Sequence, residues 1–263
     1  MTSANAVDDA SAPKDLVQSV VRALDIVDIV AENGTPLRAQ VIAQRAGLHL
    51  ATASHLMSTL VYAGYLQRHG REYSLGGSKI LSLGSRVEDR WRPSPKAYDM
   101  LAMVVNTTGE TAYLSAWHDG DVTIVAIQEG SHAVRVADLR VGVSGDIHAR
   151  ASGKALLAYR PQTSLDRIGD ADGRLTARTE YTVTSRDALA AELEETRERG
   201  YAIDEQGYAL GACGLAIPLF EGARWPQTAL SITAPLYRYN DPQYFDRYVD
   251  AMHRVHELDA TTD

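Results

Sequence analysis

Residues 151–156, ASGKAL, place a lysine behind small residues, a composition that suits a phosphate-cradling loop. Such a loop needs G-x-x-x-x-G-K-[ST], so that backbone N–H groups, the lysine and a hydroxyl surround phosphate and magnesium. Here Ala155 follows Lys154, and His148 stands five residues before Gly153, so the pattern fails at both ends. GVSGD at 142–146 lacks the G-x-S-x-G order of a nucleophile elbow. Ser152 and Lys154 are two apart, where a Ser/Lys pair needs three. His118, His132 and His148 contain no H-x-x-x-H pair for a metal. Asp204 and Glu205 are adjacent carboxylates, and on an extended segment neighbours point to opposite faces. Cys213 is the single cysteine, which excludes an intrachain disulfide and a cysteine-rich zinc site. It reads as a small buried apolar residue. These residues assemble no catalytic constellation, no metal site and no cofactor site, so an enzyme is not expected.

A different chemistry is written at residues 48–64, LHLATASHLMSTLVYAG. At about 100° per residue, Ala53, Leu56, Met57, Leu60 and Val61 gather on one side of a helix. Thr52, Ser54, His55, Ser58, Thr59 and Tyr62 gather on the other. The second set is mostly small and hydrogen-bonding, able to approach base edges, yet it holds no Lys or Arg.

Such a helix must be positioned by its neighbours. Residues 38–46 read as a short helix, with small Ala43 for a close crossing and Gly47 for the sharp turn. Ile42, Ala46, Leu48, Ala53 and Leu56 fill the space between the two helices. An ordinary αα-hairpin is the bland alternative. After it, YLQRHGREYSL reads as two strands joined at His69-Gly70, a hairpin placed as a wing. Residues 16–32 read as a helix with polar residues confined to Gln18, Arg22, Asp25 and Glu32. A helix so apolar is buried on two sides. One side serves its own domain and the other a second subunit; the alternative is the central helix of a monomeric core. Residues 75–91 read as a further helix, stopped by Pro93 and Pro95, which mark a domain boundary.

The second part mixes strands and helices without strict βαβ alternation, which suggests α+β. YLSAWHDGDVTIVAIQ is a hairpin about Asp119-Gly120. Ser185 caps a helix closed by Gly200, GLAIPLFEGARWPQTALSITAP is a second hairpin, and Asp241-Pro242 opens a C-terminal helix.

The net charge is −8, against nucleic-acid binding by the whole surface. Between residues 34 and 79, however, Arg38, Arg45, Arg68, Arg71 and Lys79 face Glu72 alone, a basic island of the kind a DNA-binding module leaves. No apolar run approaches the roughly 20 residues of a membrane span. Residues 1–13 are acidic with no apolar core, so they are expected to be a disordered tail and not a signal peptide. A cytoplasmic protein is the expectation.

The run SVVRALDIVDIVAENG, VIAQRAGLHLATASHLMSTLVYAGYLQRHGREYSLGGSKILSLGS resembles the winged helix-turn-helix of the IclR (isocitrate-lyase regulator) family of bacterial transcription factors. TGETAYLSAWHDG, HARASGKALLAY, ELEETRERGYAID and LSITAP follow in the family's order. The resemblance implies a winged helix-turn-helix domain over 14–77, a linker helix over 78–94 and a profilin-like, GAF-related α/β effector-binding domain over 95–263. It implies a homodimer or homotetramer on a palindromic double-stranded DNA operator, controlled by a small organic acid. Effector contacts of the family fall at Gly145, Ala151, Ser152, Asp204, Ala212, Gly214, Ser231 and Thr233. Ser152, Gly153 and Lys154 then open a helix whose N–H groups favour a carboxylate, while Ser231 and Thr233 share one strand face.

Two departures stand out. The family often carries Lys and Arg where this chain has Leu50 and His55, and His where it has Ser54. Base reading therefore falls to Thr52, Ser54, His55 and Ser58, and phosphate attraction to Arg38, Arg45, Arg68, His69 and Arg71. Gly214 stands where Cys or Ser is frequent, with Cys213 one place early and on the opposite strand face. That leaves a larger, less polar pocket and favours an aromatic acid over a two- or three-carbon one. The other readings are a GAF-like enzyme or redox sensor fused to a DNA-binding module, and an interaction module whose helix-turn-helix no longer binds DNA.

Overall fold

The computed structural model describes residues 15–118, 120–132 and 139–261, with the backbone alone for 87–90. The expected tail at 1–13 and Asp119 of the first hairpin turn lie outside the described residues. The chain divides into two compact units, Met1–Arg90 and Trp91–Asp263.

In the first unit, α1 (Gln18–Asn33) leads through β1 (Leu37–Arg38) into α2 (Ala39–Arg45) and α3 (Leu50–Tyr62). Then come β2 (Leu66–His69), β3 (Glu72–Leu75) and α4 (Gly77–Trp91). Ile26 and Val30 of α1, Ile42 and Ala43 of α2, and Ala53, Met57 and Leu60 of α3 form one core with Leu66 and Tyr73. Small Ala43 is 3 % exposed, which lets the helices cross closely, and its carbonyl accepts from Leu48 N–H at 2.9 Å across the turn. Gly47 takes φ 64°, a left-handed conformation that side chains resist. The wing departs from expectation in two details. Strand register pairs His69 with Glu72, so the two-residue turn is Gly70-Arg71, one place later than expected. Leu75 ends β3 and does not begin a helix, because its backbone pairs with Leu66; α4 starts at Gly77.

The second unit is built on five antiparallel strands. They are β4 (Thr111–His118), β5 (Asp121–Gln128), β6 (Ala202–Glu205), β7 (Ala212–Leu219) and β8 (Thr228–Pro235), in the order β5-β4-β8-β7-β6. Before them runs α5 (Pro95–Thr108). Between β5 and β6 come α6 (Ala151–Leu157), α7 (Gln162–Leu165) and α8 (Arg186–Arg199). After β8 come α9 (Leu236–Tyr239) and α10 (Pro242–Ala260).

Strand alternation decides the layers. Cys213, Leu215, Ile217 and Leu219 of β7, with Leu230 and Ile232 of β8, pack against α5 and α10. The intervening positions are small or polar: Ala212, Gly214 and Ala216 on β7, Ala229, Ser231 and Thr233 on β8. That face takes α6 and α8, through Ala155, Leu156, Leu189 and Leu193. Gly153 lets α6 fold closely against the segment that precedes it, where a Cβ would stand 2.1 Å from the Ile147 carbonyl oxygen. The whole is α+β, with the larger side chains on one sheet face and a recess on the other.

Candidate functional site

The first site is the outer face of α3. Thr52, His55, Ser58, Thr59 and Tyr62 are exposed, and Ser54 is half-buried. The Ser58 hydroxyl donates to the Ser54 carbonyl at 2.9 Å, and Thr59 to the His55 carbonyl at 3.1 Å. With their protons held by the helix, both oxygens face outward as acceptors, suited to amino groups on base edges.

The flanking cations sit where the wing and α2 hold them. Arg38 lies 3.7 Å from Glu72, Arg45 donates to Asn33 Oδ1 at 3.1 Å, and Arg68 donates to the Gly70 carbonyl at 2.8 Å. Arg68 also stacks over Tyr73 at 5.8 Å. His69 and Arg71 are exposed at the wing tip. Exposed pairs of this kind contribute about 0–1 kcal/mol, so phosphate can displace the protein partner. Lys79, counted in the basic island but not among the expected contacts, lies 5.7 Å over the Tyr65 ring.

The second site is a cavity on the recessed sheet face. Ala151, Ser152, Asp204, Ala212, Gly214, Ser231 and Thr233 line it, together with Tyr113, Ser115, Ile124, Leu139, Arg150, Tyr208 and Ile232. Seven of the eight positions named from the sequence are thus brought together from α6, β6, β7 and β8. Gly145 is not in the lining. Its N–H donates to Asp121 at 3.0 Å, and its carbonyl accepts from Arg150 Nη2 at 2.6 Å, so it holds a wall residue. The helix also begins earlier than expected: α6 starts at Ala151 with Arg150 as N-cap. Lys154 points away from any ligand role, because its Nζ pairs with Glu192 at 2.5 Å and donates to the Ile203 carbonyl at 3.2 Å.

Two charged residues in the lining are buried. Asp204 Oδ1 accepts from Gly207 N–H at 2.7 Å and Tyr208 N–H at 3.2 Å. Burial nevertheless raises its carboxyl to about 6, against the pull of Lys154 and those N–H groups. Glu205 faces the other way and accepts from the Tyr239 hydroxyl at 2.7 Å, as alternation requires. Arg150, unnoticed in the sequence because it sits between Ala149 and Ala151 in a small-residue run, is 4 % exposed. Burial lowers its guanidinium pKa, opposed by Tyr208, Asp121 and Asp146. Its Nη2 donates to the Val122 and Gly145 carbonyls, while Nε and Nη1 have no hydrogen-bond partner.

A strap crosses beside the cavity. Arg178 pairs with Asp146 at 2.6 Å, donates to the Tyr208 carbonyl at 3.1 Å and lies 4.2 Å over the Tyr208 ring. Thr182 donates to the Gly207 carbonyl at 2.6 Å. Cys213 stands on the opposite sheet face, fully buried, its thiol pushed by burial to about 12. At neutral pH it is a protonated thiol, without the thiolate that redox chemistry needs. Among the described residues no three His, Cys, Asp or Glu side chains gather to hold a metal.

A three-helix unit with a β-wing, an exposed hydrogen-bonding third helix and flanking cations is a winged helix-turn-helix protein that binds DNA; here it carries a second α/β unit with a buried cavity. Family models agree on both units. The IclR helix-turn-helix domain matches residues 19–70, and the bacterial transcriptional regulator IclR C-terminal domain matches residues 95–257. The chain belongs to the IclR family of bacterial transcriptional regulators. It is 30% identical over 230 residues to the HTH-type transcriptional regulator XynR of Escherichia coli (strain K12), spanning 87% of this chain and 90% of that one. The crystal structure of the Thermotoga maritima IclR superposes with a TM-score of 0.74 at 25% identity, covering 93% of this chain and 98% of the other. An IclR homolog from Microbacterium hydrocarbonoxydans, complexed with 4-hydroxybenzoate, superposes with a TM-score of 0.62 at 22% identity, over 93% and 100% of the two chains. Among the described residues no helix is long and apolar enough to cross a membrane.

Proposed function

We propose that an organic acid, an aromatic monocarboxylate, enters the cavity and changes the affinity of a homodimer for a palindromic operator in the cytoplasm. In this reading residues 14–77 bind DNA, 78–94 link, and 95–263 sense the effector without turning it over. The observation that carries it is the cavity itself, with polar groups converging from four elements onto an apolar recess. Gly214 supports an aromatic guest, because a Cβ there would come within 3.3 Å of the Ala151 Cβ and fill the recess. The 4-hydroxybenzoate held by the Microbacterium neighbour supports the same class.

The cavity holds about 30 Å³, room for roughly two waters. A ring therefore requires the lining, which includes Tyr208, to move outward. A ligand that binds an opened state and not the closed one has the differential affinity that shifting an equilibrium demands. Thermal-shift screening tests this: aromatic monocarboxylates should raise the melting temperature more than glyoxylate or pyruvate, and the reverse order refutes the aromatic assignment.

Dimerisation finds support on α1. Val17 just before the helix, and Val20 and Leu24 within it, are each more than half exposed and lie on one helical stripe. A second copy covering that stripe would give the two-fold pair that a palindromic operator mirrors.

The division of labour on DNA is testable by titration against operator and scrambled duplexes. His55→Ala should lower operator affinity by about tenfold while sparing scrambled DNA, the loss expected of one base contact. Arg68→Ala should weaken both duplexes alike and reduce the salt slope by about one. Equal losses on both duplexes for His55→Ala would remove it from base reading.

A further inference from the structure

An organic acid in the cavity needs a partner for its charged end. The expectation from the sequence was the N-terminus of α6. That helix has seven residues, and its lysine is paired elsewhere. Arg150 is the stronger candidate on geometry. It is held at one nitrogen only, Nη2, whose bonds to the Val122 and Gly145 carbonyls fix the guanidinium against the wall. Nε and Nη1 are buried with no partner.

The acids near Arg150 are committed to other groups. Asp121 accepts from Val122 N–H at 2.6 Å and Gly145 N–H at 3.0 Å, and Asp146 pairs with Arg178. Asp121 and Asp146 act on the Arg150 charge only from a distance, and a buried cation with no acid bonded to it is costly, so a native chain rarely keeps one without a use for it. A second orphan lies at the same end of the sheet. The Ser115 hydroxyl is fully buried, lines the cavity and has no partner. Ser115 sits opposite Ile124 on β5, two residues from the Val122 carbonyl that holds Arg150.

We propose that Arg150 is the effector's anion anchor: its Nη1, on the opposite side of the guanidinium from Nε–H, donates to a carboxylate, and the Ser115 hydroxyl donates to the same group. The effector's negative charge then lies at the β5–β4 end of the sheet. Its ring runs across Ser231 and Gly214, and its far end meets Asp204 on β6, at the opposite edge. An effector with a hydrogen-bond donor opposite its carboxylate satisfies both ends, whereas a dicarboxylate meets Asp204 with a like charge. This assignment rests on the organic-acid reading of the cavity.

The test is calorimetric titration of the full chain with a set of aromatic and aliphatic monocarboxylates that includes benzoate and pyruvate, with benzamide as the neutral control. Benzoate should bind at least about 30-fold more tightly than benzamide, and Arg150→Gln should lose about 30-fold in benzoate affinity, the effect of removing one partner of a buried charge pair. Ser115→Ala should lose several-fold. Ser115→Ala removes an unpaired buried hydroxyl, so it should not melt below the parent when ligand is absent. Arg150→Gln also gives up the Nη2 bonds to the Val122 and Gly145 carbonyls, so its melting temperature reports that structural role, and a role that is structural alone would leave the benzoate–benzamide ratio intact. If Arg150→Gln does not fold, Ser115→Ala and the benzamide comparison decide. Unchanged benzoate affinity in a folded Arg150→Gln, or equal binding of benzoate and benzamide, overturns the anchor and leaves the effector reading standing. Failure of the parent to bind any acid of the set overturns both.

Discussion

Operator affinity should fall by about three orders of magnitude or more between about 50 and 200 mM salt, the loss expected when six to ten phosphates are neutralised. The count follows from position. Each protomer offers Arg38, Arg45, Arg68 and Arg71 around α3, with Lys79 beside them, and α3 itself offers no cation. A dimer doubles that set. On the proposed contacts the attraction is almost wholly an effect of the wing, β1 and α2 on phosphate, with neutral side chains left to read bases. The chain as a whole is acidic, at net −8, and adds repulsion that salt relieves only partly. Fluorescence anisotropy with an operator duplex at four salt concentrations gives the slope of log affinity against log salt. A slope shallower than about −4 would mean fewer than five phosphates neutralised per dimer, and would sink the assignment of those arginines.

The helix-turn-helix was legible in the sequence because its signals are local. Ala43, Gly47 and the apolar stripe through Ala53, Met57 and Leu60 lie within 18 residues, and each has one steric role. The wing turn shifted by one residue because His69-Gly70 and Gly70-Arg71 are equally good turns until strand register chooses, and register is set by Leu66 facing Leu75 across the hairpin. The cavity was legible through family positions and strand alternation, which put Ser231 and Thr233 on one face and Cys213 opposite Gly214. Arg150 was not. Nothing in HARASGK marks that arginine as buried. Its surroundings come from β5 and β4, with Val122 28 and Ser115 35 residues upstream, and from the fold that brings them to the same cavity. The role of Lys154 was hidden for the same reason: its partner Glu192 lies 38 residues on, on α8.

Asp204→Asn should stabilise the ligand-free protein at neutral pH and weaken effector binding at the same time. The carboxyl is raised from 3.8 to about 6, by burial first and Glu192 last, with Lys154 and the Gly207 and Tyr208 N–H groups pulling the other way. Between those two values the folded chain holds a proton that the unfolded chain has released. Stability therefore falls as pH rises through that window, and the loss is complete above it. A shift of this size corresponds to roughly 3 kcal/mol at pH 7.5 and well under 1 kcal/mol at pH 4. Asparagine keeps an oxygen to accept from Gly207 and Tyr208 while removing the buried charge, and Lys154 keeps Glu192 and the Ile203 carbonyl. Urea unfolding should show the variant more stable than the parent by about 2–3 kcal/mol at pH 7.5, with most of that gain gone at pH 4. Equal stability at pH 7.5 would mean that Lys154 already neutralises the carboxylate in full. The gain has a functional counterpart. In the proposed reading a charge kept buried at a cost is what a hydrogen-bond donor on the effector relieves, so the variant that folds best should be the one that responds least.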